Sequence, residues 1–371
     1  MENKKIKFRY YYGLIAFVVS VVLLIFVCGP LQLQFGMAGL AATELILLAL
    51  AVGAALLTKK LTGTGFKEIF PMRVPDPRQI LGAALTYFGG YALMLSVAYM
   101  SAYLLPETAE RAAQIADFTT TVPFPLAILI TAVMPAICEE ALHRGFILAS
   151  FRTLREEPRL KGRETLARAL VVGLCGLLFG LFHLDPIRLV PTAILGAVFA
   201  YMNIKTESIL PSVIMHFTNN TFSVVSMYAM TALQDVVPEE QLEAALEAAE
   251  NSAAAGDIRL WGGFCLILAG AALLLLYAGI RLLNPKKTSA AVFPAANPAF
   301  GENQAPETFS KSPLAKAIAV GLTALVLIGA GSTLMATSDS ATQERPFSFE
   351  RSYEEETTVS ETAAPEPPAS I

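Results

Sequence analysis

Charge is scarce in this chain. Asp, Glu, Lys and Arg make up 16% of its 371 residues, and 54% are apolar; soluble domains usually carry about 25% charged residues. That balance excludes the two or three ordinary soluble domains that the length alone would allow. Cysteine is sparse as well. Cys28, Cys138, Cys175 and Cys265 all lie in apolar runs and none forms a CxxC pair, so neither a disulfide framework nor a thiolate metal site is indicated. Cys138, beside Glu139, reads as a buried thiol, because apolar surroundings disfavour the reactive thiolate. Internal repeats, a glycine-rich phosphate loop, an HExxH motif and any nucleic-acid signature are all missing. Histidine occurs three times, as His143, His183 and His216.

What the chain has is long apolar runs. A membrane span needs about 20 mostly apolar residues, and runs of that kind lie at about 10–29, 37–58, 79–105, 124–151, 166–184, 187–203, 208–232, 260–283 and 314–336. The basic N-terminus MENKKIKFRY precedes an apolar run too long for a signal-peptide core, so it reads as a retained first span. The fifth and sixth runs form a helical hairpin around Asp185-Pro186. Lys and Arg concentrate in 1–9, 59–78, 152–163 and 281–287, whereas 106–123, 235–257 and the tail from 337 are poor in both and mostly acidic. With about nine spans, the basic segments share one side, and the positive-inside rule puts the N-terminus inside. The fold expected is an all-α polytopic transmembrane bundle with a disordered acidic C-terminal tail, since that tail is too polar to bury a core.

The expected organisation is 1–123 as N-terminal helices and loops, 124–232 as the core, 233–283 as an acidic external segment plus the eighth span, 284–313 as a linker, 314–336 as the ninth span and 337–371 as the tail. The sequon Asn219-Asn220-Thr221 falls inside a span, which argues against glycosylation there.

Ionisable side chains inside a span are expensive and point to function by default. Glu139, Glu140, His143 and Arg144 sit in the fourth run, His183 at the end of the fifth, and His216 with Asn220 in the seventh. Glu140 and Arg144 are spaced i,i+4 and share a helix face, so they form a self-neutralising pair. Glu139 lies about 100° around the helix and is left available as a general base. His143 either pairs with Glu139 or faces cytosolic water near the helix end, and it is left outside the candidate set. Phe179 and His183 are i,i+4, as are His216 and Asn220, whose imidazole and amide could donate to an oxygen developing negative charge. At ~1.5 Å rise per residue, Glu139 lies about 20 Å from Arg152, His183 about 22 Å from Arg168, and His216 and Asn220 about 14 and 20 Å from Glu207. One polar cavity fed by three helices is expected, rather than scattered interhelical contacts.

The order EExxxR, FxxxH, HxxxN resembles the CPBP family of intramembrane proteases, which includes the CAAX prenyl endopeptidases and bacterial proteins linked to bacteriocin processing. The resemblance covers about 124–232. It implies an endopeptidase in which Glu139 and His183 activate a water, His216 and Asn220 stabilise the oxyanion, and Glu140, Arg144 and Phe179 order the cavity. Two chemistries stay open. Glu139, His183 and His216 would be the ligands if zinc took part, while the missing HExxH favours metal-free glutamate chemistry. The expected partners are a peptide or membrane-protein substrate and the lipid bilayer, with no nucleic acid. The lack of a eukaryotic retention signal suggests a bacterial cell membrane. The rival readings are a non-catalytic regulator or immunity protein of the same fold and, less well supported, a proton-linked transporter.

Overall fold

The structure, a computed structural model, describes residues 6–105, 107–236, 258–284 and 313–337. The acidic segment from 237, most of the linker and the tail from 338, with the disorder expected of it, lie outside those residues. The regular elements described are helices, joined by one isolated antiparallel bridge between Met72 and Ser208. In chain order they are α1 (Tyr10–Phe35), α2 (Met37–Thr62), α3 (Pro77–Leu104), α4 (Glu107–Thr120), α5 (Phe124–Glu156), α6 (Glu164–Phe182), α7 (Pro186–Thr206), α8 (Leu210–Val236), α9 (Ile258–Leu283) and α10 (Pro313–Ala336).

Eight of these, all but α4 and α8, are long and apolar enough to cross a membrane. Helix α8 is 27 residues long and corresponds to the seventh predicted run. His216, Asn219 and Asn220 make it too polar for that set, which is itself a sign that it lines a polar interior. The outward faces are apolar: Ile15, Val18 and Phe26 on α1 and Leu322, Leu325 and Val326 on α10 are exposed. Lipid accepts such a surface, while the backbone must bond within the helices. The protein is a multi-pass membrane helix bundle.

Local chemistry sets the helix ends. Asp76 caps α3 through the Gln79 amide, with Gln79 reaching back in a capping box and Pro77 entering the first turn. Asp185 caps α7, accepting from the amides of Ile187 and Arg188, which places the predicted hairpin turn at Asp185-Pro186. The basic segments collect at one end of the bundle. Arg9 pairs with Glu156 at 3.5 Å, Arg73 donates to the Thr206 carbonyl, and Arg78 donates to the carbonyls of Arg281 and Asn284. This clustering is what the charge asymmetry along the chain required.

Two packing regimes build the interior. Leu47, Ala51 and Ala55 of α2 meet Leu142, Phe146 and Ile147 of α5 and Val171, Cys175 and Leu178 of α6 in one apolar core. On the other side, α3, α9 and α10 pack through small residues. A Cβ on Gly89 would sit 2.7 Å from the Leu276 nitrogen, and one on Gly263 would sit 2.6 Å from the Gly331 carbonyl oxygen. Close backbone approach of this kind is how helices associate where lipid removes the hydrophobic incentive.

Candidate active site

The sequence predicts one uniform helix over 124–151. The structure instead interrupts α5 twice. Leu129–Val133 and Ala141–Ile147 are π-helical turns flanking the α-helical segment Met134–Glu140, and the helix ends in a 3₁₀ turn at Arg152–Glu156. Such π turns shift the hydrogen-bond register and recur at functional sites. Here they bracket the segment that carries both glutamates. Pro135 contributes, because it lacks the N–H that would reach the Thr131 carbonyl in a regular helix. The Asn220 side chain supplies a donor instead, its Nδ2 lying 3.0 Å from the Thr131 oxygen.

Glu140 and Arg144 form the expected pair. Both are fully buried, with Nη1 2.8 Å from Oε1. The Arg144 Nη1 hydrogens are not well aimed at that oxygen, so the contact is an ion pair rather than a directed hydrogen bond. His216 joins it: its Nδ1 lies 3.1 Å from the same Glu140 Oε1. Glu140 thus bridges a cation and an imidazole, a three-membered network where the spacing alone had suggested two members. Arg144 Nη2 also donates to the Gly196 carbonyl at 3.3 Å. Its guanidinium stacks 4.1 Å from the Phe179 ring centre and 5.2 Å from that of Phe199, a favourable placement for a cation shielded from water.

Phe179 is the hub. Its ring makes edge contacts with His143, His183 and His216 at centroid distances of 5.1, 4.9 and 5.9 Å. Helices α6 and α7 come close enough to place it because Gly176, Gly180 and Gly196 line their interface. A Cβ on Gly196 would meet the Phe179 Cβ at 2.8 Å, and one on Gly176 the Ala193 carbonyl at 2.6 Å. His183 closes α6 and is followed by Leu184 in the left-handed region at φ 52°, a conformation that costs a non-glycine residue about 1–3 kcal/mol.

The two outer histidines have defined hydrogen-bond roles. His183 Nδ1 is 2.8 Å from the Phe179 carbonyl oxygen. A carbonyl only accepts, so Nδ1–H donates, and in the neutral ring Nε2 carries the free lone pair. His216 Nδ1 faces a carboxylate and donates likewise. A neutral His216 therefore presents an acceptor at Nε2. It can donate to an oxyanion only as an imidazolium, the form that Glu140 stabilises. This sharpens the sequence expectation, which assigned His216 a donor role outright. Asn220 has one amide hydrogen committed to Thr131 and one remaining, while its oxygen accepts from Asn219 Nδ2 at 3.1 Å.

Glu139 is left as expected. It is half-buried, and its Oε2 is buried without a hydrogen-bond partner. The water-facing expectation for His143 is corrected: the residue is 2% exposed and wedged edge-on between Phe179 and Phe182. The π turn at 141–147 and the α6 aromatics carry it into the core, and no hydrogen bond joins it to Glu139 among the described residues.

Among the described residues no group of three His, Cys, Asp or Glu side chains converges where it could hold a metal ion. His183 and His216 both make edge contacts with the Phe179 ring, and each commits Nδ1 to a protein acceptor, which leaves Nε2 as its free nitrogen.

Three residues of the neighbourhood escaped the sequence pattern. Phe199 stacks on His216 at 5.7 Å and looked like one more core aromatic. Asn203, fully buried, accepts from Arg152 at 2.8 Å and reaches the Arg144 carbonyl at 3.5 Å, clamping α5 to α7. Glu44, in α2, is 3% exposed with an unpartnered Oε2. It could have been found by the rule that picked out Glu139, as a lone acid in an apolar span. An apolar groove of about 770 Å³ lies against the first turns of α5, lined by Phe35, Met37, Ala41, Phe118, Leu126 and Met134 among others.

Residues 121–222 match the family described as type II CAAX prenyl endopeptidase, Rce1-like. The match is confined to the central segment of the chain. No curated protein and no solved structure matches the chain. The matched span of the Rce1-like segment runs from the start of α5 into α8, and so takes in both glutamates, Arg144, Phe179, His183, His216 and Asn220. The N-terminal helices and those after α8 lie outside it.

Proposed function

We propose that this protein is an intramembrane endopeptidase that hydrolyses a peptide bond of a membrane-associated protein or peptide with a water molecule as nucleophile. The observation carrying this reading is a half-buried carboxylate, Glu139, whose Oε2 has no hydrogen-bond partner, on the helical segment next to the Glu140–Arg144–His216 network, with the Nδ1 atoms of His183 and His216 already anchored. Glu139 and the Nε2 lone pair of His183 are the groups able to take a proton from water, and such general-base assistance contributes typically 10²–10⁴-fold in rate. As the tetrahedral oxyanion develops, imidazolium His216 and the remaining amide hydrogen of Asn220 donate to it. Proton transfer from water to Glu139 and onward to the leaving amine completes hydrolysis. Glu140 stabilises the charged His216, while Arg144 and Phe179 hold Glu140 and the imidazoles in place. The low-dielectric surroundings strengthen each of these interactions.

The groove between the α1–α2 turn and α5 gives an apolar substrate segment a route along the helix that bears Glu139. The reaction needs no metal in this scheme. The deciding experiment uses purified protein in detergent or vesicles with a library of lipidated and unlipidated peptides. Cleavage by wild type, its loss in Glu139→Gln and its persistence in strong chelator are expected. Full proteolysis by Glu139→Gln would sink the assignment. Activity lost to chelator and restored by zinc would overturn the metal-free scheme. A wild-type protein that binds peptides without cutting any would favour a regulatory role for the same fold.

A further inference from the structure

Tyr87 of α3 reaches, through one neighbour each, both groups that the scheme above assigns to the oxyanion. It is 3% exposed, and its ring stacks on Phe199 of α7 at a centroid distance of 6.3 Å and an interplanar angle of 18°. Phe199 stacks in turn on His216 at 5.7 Å. From the same ring the hydroxyl reaches α8, its oxygen lying 3.4 Å from Asn219 Oδ1. Asn219 Nδ2 is 3.1 Å from Asn220 Oδ1, and Asn220 Nδ2 is 3.0 Å from the carbonyl oxygen of Thr131, in the first π turn of α5. These contacts form one run of hydrogen bonds across α3, α8 and α5. Helix α3 comes close to α7 because Gly90, one turn from Tyr87, has no side chain: a Cβ there would sit 2.5 Å from Val198 Cγ2. Tyr87 lies outside the matched span 121–222.

The run has a single self-consistent polarity. A backbone carbonyl only accepts, so the Thr131 end turns Nδ2 of Asn220 toward itself and leaves Asn220 Oδ1 facing Asn219. That oxygen needs a donor, which turns Asn219 Nδ2 toward it and Asn219 Oδ1 toward Tyr87. The Tyr87 hydroxyl then donates. With its oxygen and one N–H both held, Asn220 has its last N–H aimed in one direction, and a preorganised donor of that kind is what a developing oxyanion requires. We infer that Tyr87 is a positioning residue for the oxyanion donors: its hydroxyl locks the amide orientation of Asn219 and Asn220, and its ring, through Phe199, backs the His216 imidazole. The effect on rate rests on the proteolytic reading, and the contacts themselves do not. A hydroxyl that merely satisfied itself in the core would join α3 to α8 without setting the direction of the catalytic amide.

Tyr87→Phe keeps the ring stack and removes the donor. Losing an oxyanion donor outright costs about 10²–10³-fold in kcat, and Asn220→Ala sets that ceiling. Tyr87→Phe misaims the donor without deleting it, so kcat should fall by about tenfold with KM little changed. In the Asn220→Ala background the same substitution should cost less than about twofold, because nothing remains to be aimed. Asn219→Leu breaks the run from α8 and should match Tyr87→Phe, with no further loss when the two are combined. Tyr87→Phe as active as wild type, or losses that multiply in either double variant, would overturn the inference and leave Tyr87 a structural contact. The asparagine side-chain amide signals, read by NMR on full-length isotope-labelled protein in detergent, decide it without turnover. The Asn220 signal, identified by its loss in Asn220→Ala, should move in Tyr87→Phe. An unmoved signal would overturn the relay whatever the activity. A signal that moves in a protein whose wild type cleaves nothing would refute the proposed function and leave the relay standing.

Discussion

The two sides of this bundle solve the same packing problem by opposite means. Where α3, α9 and α10 meet, the chain offers glycine and alanine, and backbones close to contact distance with almost nothing charged inside. Where α5, α6, α7 and α8 meet, it buries Glu140, Arg144 and His216 within a few ångströms of one another, with His143 on the same Phe179 ring. The first arrangement is the economical way to hold helices together in lipid. The second is costly unless the charges compensate and the remaining polar atoms find partners. A chain that already has the cheaper device on one side gains nothing in stability from the expensive one on the other, and the difference supports the proposal that α5–α8 carry the chemistry. The glycines of α6 and α7 sharpen the point. They are the same close-packing device, used there to bring Phe179 under Arg144 and the imidazoles.

The contrast can be broken in order of expected effect. Glu139→Gln should lower kcat by about 10²–10⁴-fold while leaving the unfolding midpoint in detergent near wild type, since it removes an unpaired carboxylate and not a structural pair. Peptide cleavage and thermal unfolding measured on the same preparation check both halves. Arg144→Ala should do the reverse first. It strands Glu140 as a buried charge and should cost about 3–5 kcal/mol of stability, read from reversible denaturation in mixed micelles, with activity lost as a consequence. A neutral Arg144→Ala would mean that the polar core is not held by this ion pair.

On the other side, Gly263→Leu forces apart α9 and α10, where a Cβ already meets a backbone carbonyl. Overpacking of that kind costs about 1–3 kcal/mol and should leave kcat unchanged. A fall in kcat as large as that from Glu139→Gln would erase the division between the two sides. The smallest effect tests the repair of the helix around Pro135. Asn220→Ala and Pro135→Ala should be coupled by about 0.5–1.5 kcal/mol in a double-mutant cycle on stability, because alanine at 135 returns the N–H that makes the Asn220 donor to Thr131 necessary. Additivity would show that the amide has no such structural role.

The membrane character, the helical class and the family resemblance could all be read from the chain, and each for a reason residing in the residues themselves. Apolar runs of span length and the asymmetry of Lys and Arg are one-dimensional signals. The i,i+4 spacing of Glu140 with Arg144, and of Phe179 with His183, predicted contacts because one helix supplies both members. The misreadings and omissions came where a second helix, or a change of helix type, decides. For His143 the spacing offered either Glu139 or a watery helix end, and the structure gives neither, because the π turn at 141–147 leaves no mark in an apolar pattern. His216 was paired with Asn220 by spacing, whereas the fold gives its Nδ1 to Glu140 and so decides which nitrogen keeps a lone pair.

By itself, then, the sequence determined the solvent this protein folds in, the helices that solvent demands and the short set of ionisable groups those helices must shelter. Only the tertiary structure decided which group compensates which. Charge compensation in a low-dielectric interior falls off over a few ångströms, and which side chains come within that range depends on close approach between α6 and α7, the glycine contacts that allow it, and the register of two π turns in α5.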